Sequence, residues 1–198
     1  AWFLERPSLE RDAFADLAAL DRLCDDAARA GADVIVDESN ANYCPPAYSA
    51  TTLATSRDNL AVLRGWAKAY GLGGLRLGVC VASPALTARI RELVPPLSAS
   101  SLSLRIGARL LAAGDLTAPL RARIAAHKPE ALRLFAGDAT AASEHLPYIL
   151  SLTRRDTPTI AGKLHPIYVA KTGSVHHLRR FSVPLAPDRM ARLRNLLG

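Results

Sequence analysis

Apolar residues recur along the first half of this chain at two periods, one helical and one extended. Ala13, Leu17, Leu20, Cys24 and Ala28 fall three to four residues apart, the spacing of a single helical face. Asp12 before them predicts an N-cap, and Gly31 after them predicts a stop. Around this helix lie short, largely apolar runs at residues 2–4, 33–36, 59–63 and 75–81. They predict strands, the first a short buried one and the next two buried on both faces. Strand, helix, strand in this order predicts an α/β layer.

From Pro84 onward the pattern changes. Helices are predicted over residues 85–93 and 97–113, the second with Leu102, Ile106 and Leu110 on one face and Gly114-Asp115 as its break. A further helical run extends through Ala126 and is interrupted or kinked near Pro129. Residues 148–152, 167–170 and 178–183 read as strands, residues 153–163 as a loop, and Met190, Leu193 and Leu197 as the face of a last helix. The expected organisation is an α/β domain over residues 1–100, followed by a smaller α+β domain over 101–198.

Composition narrows the class without naming a function. Hydrophobic residues make up 49% and charged residues 22% of the chain, as in ordinary globular proteins. No apolar run reaches bilayer length and no signal pattern opens the chain, so a cytoplasmic protein is expected. The three cysteines, Cys24, Cys44 and Cys80, are widely spaced, which favours reduced thiols. The net charge of +7 raises nucleic-acid binding, but the basic residues are scattered and no nucleic-acid motif accompanies them. Arginine outnumbers lysine 21 to 4, a bias that weakens any argument from charge. His176-His177 would point to opposite faces of a strand, and the other histidines lack ligand spacing, so no metal site is expected.

Candidate chemistry concentrates in one stretch. Arg64-Gly65-Trp66-Ala67-Lys68 runs on through Gly71, Gly73 and Gly74 to Arg76-Leu77-Gly78, and upstream Asp37 ends the run Asp33-Val34-Ile35-Val36. An amine, a guanidinium and a carboxylate are the three handles that hold pyridoxal 5'-phosphate. The amine forms an imine, the guanidinium takes the phosphate, and the carboxylate keeps the ring nitrogen protonated. A strand ending at Asp37 and another leading to Lys68 would direct both into one crevice at the carboxyl edge of a sheet. Each residue has a plainer reading: a surface lysine, a capping aspartate, a solvated arginine. Their combination favours the cofactor.

These residues resemble the class I/II aminotransferases, the fold-type I pyridoxal-phosphate enzymes, and most of all their histidinol-phosphate aminotransferase-like branch. Val34-Ile35-Val36-Asp37-Glu38 resembles the family's apolar strand ending in Asp-Glu. Lys68 through Gly78 resembles its lysine followed by Gly-Leu-x-Gly-x-Arg-x-Gly. Leu178-Arg179-Arg180-Phe181-Ser182-Val183 resembles its carboxylate-clamping strand, with Arg180 the better match and Arg179 the reserve. The resemblance implies the second half of a large domain, a mostly parallel sheet flanked by helices, plus a small α+β C-terminal domain. It implies pyridoxal phosphate held as an internal aldimine by Lys68, with Asp37 and Asn40 on the ring, Arg76 on the phosphate and Arg180 on the carboxylate of a small amino-acid substrate. It also implies a homodimer; the scattered charge and short apolar runs are why no nucleic-acid or membrane partner is expected.

The departures point to alternatives. Glu5-Arg6-Pro7-Ser8-Leu9 stands where the family has an asparagine on the cofactor's phenolic oxygen, Asn40 where it has a tyrosine, and Gly65-Trp66-Ala67-Lys68 where it has Ser-x-Ser-Lys or Thr-x-Ser-Lys, which removes two hydroxyls. The reaction default is transamination; elimination, decarboxylation or cyclisation is the alternative within the same chemistry. A non-catalytic partner-binding remnant and a basic nucleic-acid binder are the alternatives outside it.

Overall fold

The computed structural model describes residues 1–8, 16–135, 139–141, 144–151, 163–169 and 174–197. Asp12, Ala13 and nearly all of the loop expected over 153–163 lie outside them. The chain divides into two compact units, one running to Ala118 and one beginning at Pro119.

The first unit is built on a sheet of order β1-β2-β3-β4, with β1 Trp2–Glu5, β2 Val34–Asp37, β3 Leu60–Gly65 and β4 Gly78–Val81. The first three run parallel, with Glu5 opposite Asp37 and Asp37 opposite Leu63. β4 runs antiparallel to β3 and sets Gly78 opposite Gly65. Helix α1, Leu17–Arg29, joins β1 to β2. The Asp16 side chain accepts from the Ala19 N–H at its start. At its end Gly31 takes φ 65°, and the Ala32 and Gly31 N–H groups donate to Ala27 and Ala28 carbonyls at 2.8 and 3.0 Å. The helix lays Leu20, Cys24 and Ala27 on Val34, Val36, Leu60 and Val62, all fully buried. Leu20→Ala is expected to destabilise the protein by about 2–5 kcal/mol, read as a lower urea midpoint at an unchanged slope.

Several sequence expectations change here. β1 is an edge strand whose Trp2 and Phe3 are 39% and 67% exposed, not a buried strand. β4 begins at Gly78, three residues later than expected. Gly73–Leu75 instead forms a 3-10 turn that Arg76 closes in a left-handed conformation, so the backbone cannot enter the strand earlier. The helix expected over 97–113 is α4, Ser101–Ala112. Leu97 has φ 61° and Ser100 accepts from the Ser103 N–H, which fixes the start. Two further helices belong to this unit, α2 Thr51–Ala54 and α3 Pro84–Leu93.

The second unit opens on α5, Ala118–Leu134, which continues through Pro129 without interruption. Its last turns bury Ala131 and lead to Phe135, whose ring centroid lies 4.8 Å from that of Phe181. That packing outweighs the hydrogen bond proline removes. An antiparallel sheet follows, in order β5-β6-β8-β7: β5 Ala139–Ala141, β6 Tyr148–Ser151, β7 Lys163–Val169 and β8 Ser174–Ser182. The short β5 was not anticipated. Helix α6, Pro187–Leu197, contributes Met190 and Leu193 to the same core. Among the described residues no helix is long and apolar enough to cross a membrane.

Candidate active site

Asp37 is the last residue of β2, at the carboxyl edge of the parallel strands, where open α/β sheets collect ligands. Its Oδ1 accepts from the Ser39 N–H at 2.8 Å and from the Ser39 hydroxyl. This short loop around an aspartate fixes the carboxylate's rotamer. Oδ2 has no hydrogen-bond partner among the described residues, which leaves one oxygen oriented and open.

Asn40 lies three residues on, just ahead of a 3-10 turn, Ala41–Tyr43. It is 5% exposed, yet its side-chain amide has no hydrogen-bond partner among the described residues. Leaving such a group unsatisfied costs about 1–3 kcal/mol, so a buried amide three residues after Asp37 suits a polar ligand atom.

Lys68 and Arg76 belong to one connection, residues 66–77, between β3 and β4. Trp66, 6% exposed, anchors its start. The Gly71 N–H donates to the Lys68 carbonyl at 2.9 Å and the Leu72 N–H to the Trp66 carbonyl at 3.0 Å, which needs Gly71 at φ 66°. The Ser103 hydroxyl donates to the Leu75 carbonyl at 2.9 Å. At Gly107 of α4 a Cβ would stand 2.6 Å from Leu77 Cδ2, so the helix can approach the connection only without a side chain there. Both cationic side chains are exposed. Arg76 takes φ 48°, uncommon for a residue other than glycine, and such held conformations concentrate at functional sites.

Asp37, Asn40 and the Lys68–Arg76 connection thus leave one edge of one sheet. Arg180 lies in the second unit, on β8, opposite Leu150 and Lys163 in register. Its guanidinium carbon sits 4.5 Å from the Tyr148 ring centroid, a cation–π geometry. Among the described residues no group of three His, Cys, Asp or Glu could hold a metal ion.

The residues that sequence reasoning missed form a buried ion cluster at this same edge. Glu38 is fully buried, and its carboxylate accepts from Arg6 at 2.8 Å, the Ala50 N–H at 2.7 Å and the Ser49 hydroxyl at 2.7 Å. Arg6 is 1% exposed and also donates to the Tyr48 carbonyl. Burial lowers the Arg6 pKa, and Glu38 opposes that shift. Arg64 Nη1 donates to the Ser49 hydroxyl at 2.7 Å and lies 3.7 Å from Glu38 Oε2. A charged residue directly after each of two strands, Arg6 after β1 and Glu38 after β2, was the available signal. Their separation of 32 residues hid the pairing.

The family profile described as aminotransferase class I and II matches residues 13–143. An aromatic amino acid aminotransferase of Mycobacterium avium is 32% identical over 126 residues, covering 62% of this chain and 35% of that protein. The L-threonine-O-3-phosphate decarboxylase of Porphyromonas gingivalis superimposes with a TM-score of 0.75 at 18% identity, over 99% of this chain and 64% of that one. The histidinol-phosphate aminotransferase of Sinorhizobium meliloti, solved in complex with pyridoxal-5'-phosphate, gives 0.70 at 18% identity, over 98% and 56%. The two solved structures establish the fold. The chain spans about a third of the curated relative and less than two thirds of either solved chain.

Proposed function

Because this chain belongs to the class I and II aminotransferases, a pyridoxal-phosphate-dependent family, we propose that it carries the lysine-bearing half of a site that exchanges the amino group of a small amino acid. The observation that carries this reading is the placement at one sheet edge of Asp37, oriented by Ser39, and the buried Asn40 amide; Asp37 Oδ2 and that amide have no hydrogen-bond partner among the described residues. The adjacent strand β3 leads directly to Lys68. When bound, pyridoxal phosphate supplies a ring that withdraws electrons from the substrate's α-carbon.

The chain's residues divide the remaining work. Asp37 Oδ2 would accept from the protonated ring nitrogen and keep it charged. Asn40 would donate its amide N–H to the phenolic oxygen, which would satisfy the buried group. The exposed Arg76 guanidinium would hold the phosphate with planar paired donors. Lys68 would hold the cofactor through its ε-amine, and the free amine would serve as general base for the substrate's α-proton. Arg180 pairs with the substrate carboxylate, and the whole protein assembles as a homodimer.

One observation favours a second reading. The run Glu5-Arg6-Pro7-Ser8-Leu9 stands where the family places an asparagine on the phenolic oxygen, and its Arg6 guanidinium is committed to Glu38. With that partner replaced, elimination, decarboxylation or cyclisation competes with transamination. Keto-acid and amino-acid exchange products alone would exclude this alternative.

The test is the absorbance spectrum of the full-length protein with pyridoxal phosphate, before and after borohydride, followed by peptide mass mapping. A visible band trapped on Lys68 supports the reading. No band would leave a non-catalytic binding module in its place. Arg76→Ala should raise the cofactor dissociation constant by about 10- to 100-fold, the equivalent of one charge-assisted hydrogen bond at about 1.5–3 kcal/mol, measured by fluorescence titration.

A further inference from the structure

The ion cluster around Glu38 reaches further than the pair at its centre. Arg64 is the penultimate residue of β3, and its Nη2 donates to Asn42 Oδ1. The other end of the same amide, Asn42 Nδ2, donates to the Gly65 carbonyl at 2.7 Å. Gly65 is where β3 ends and the chain departs for Lys68. The Asn42 carbonyl in turn accepts from the Thr117 hydroxyl at 3.0 Å. Arg6, Glu38 and Arg64–Gly65 follow or end three neighbouring parallel strands, and the segment 42–50 ties all three exits together.

A buried ion pair adds little net stability against an apolar replacement. A chain of directional hydrogen bonds does, however, restrict the geometry of what it holds. Here the held group is the Gly65 peptide, three residues before Lys68. Small displacements of a reacting group reduce rates steeply. We propose that the Glu38–Arg64–Asn42 relay is a positioning device for the Lys68 connection, with Asn42 the residue that transmits it. The inference rests on the reading of Lys68 given above. In this arrangement the side chain of Asn42 touches no reacting atom; it acts through the backbone that carries the amine.

The test uses the full-length protein, Asn42→Ala, Lys68→Ala and the double variant. Cofactor binding is followed by titration, and backbone order by hydrogen exchange at the Gly71 and Leu72 amides, both bonded inside the turn. Asn42→Ala should raise the cofactor dissociation constant about three- to tenfold, the worth of one ordinary hydrogen bond. It should also shift the pH midpoint of the visible band, and the affinity effect should vanish in the Lys68→Ala background. The two turn amides should exchange faster while the Val36 and Val62 amides do not.

An equal loss of affinity in both backgrounds, or turn amides that exchange as in the parent, overturns the relay. If the parent protein shows no cofactor band, the Lys68 reading fails on its own. Hydrogen exchange then still decides whether Asn42 orders the turn. Asn42→Gln, which keeps the amide but shifts it by a methylene, should restore part of the protection if the relay holds.

Discussion

Lys68→Ala is expected to slow amino-group exchange by on the order of 10³-fold or more, because the proposed function gives one side chain two roles. The first is covalent attachment of the cofactor. Asp37, Asn40 and Arg76 remain in the variant, so cofactor should still bind, more weakly and without borohydride trapping. The second is proton transfer at the substrate's α-carbon. Lys68 is the one lysine among residues 1–118; Lys128, Lys163 and Lys171 all follow residue 118. Lys68→Arg should fail as well, since a guanidinium stays protonated and cannot act as a base at neutral pH. A small primary amine added to Lys68→Ala should restore part of the rate if the missing function is the amine itself. Single-turnover kinetics with the cofactor saturating would check each point. Activity within tenfold of the parent would remove Lys68 from the chemistry.

The largest effect on stability is expected from Glu38→Ala, about 3–5 kcal/mol, the range for removing one member of a buried ion pair. Arg6 is 1% exposed and its guanidinium faces the Glu38 carboxylate at 2.8 Å. Without that carboxylate the charge stays buried, and the Ala50 N–H and Ser49 hydroxyl lose an acceptor too. Glu38→Gln keeps an acceptor oxygen and should lose less. Replacing both members, Arg6→Leu with Glu38→Leu, should recover much of the single-variant loss, because no unpaired charge remains. Guanidinium chloride unfolding of the three variants measures all of this. A loss under about 1 kcal/mol for Glu38→Ala would mean that water reaches the pair and that the cluster is held open, in the manner of a surface pair.

The helix around Leu20 and Cys24 and the strands ending at Asp37 and Gly65 were legible because each obeys a local period. A helical face and an apolar run can be read within a dozen residues. The order of these elements also indicated the edge to which Asp37 and the Lys68 connection belong. Reading failed where a distant contact decided the outcome. Pro129 reads as an interruption or a kink, and burial of Ala131 and Phe135 carries the helix past it without interruption. Trp2 and Phe3 read as buried, yet β1 stands at the edge of its sheet. Residues 75–77 read as strand, yet Arg76 holds a left-handed turn there under α4.

The same division runs through the site. Sequence alone supplied the candidate inventory proposed above, Asp37, Lys68 and Arg76, because chemistry depends on residue type and these sit at a spacing that resembles the family's. It determined the α/β class as well. Only the tertiary structure decided that Ser39 orients one oxygen of Asp37, that the buried Asn40 amide has no partner among the described residues, and that Arg6 is committed to Glu38 rather than exposed. It alone decided that Asn42 clasps the end of β3. Those facts depend on partners that folding brings within 3 Å across as many as 32 residues of chain. Hydrogen bonds of that reach leave no period in the sequence; they follow from where the parallel strands end.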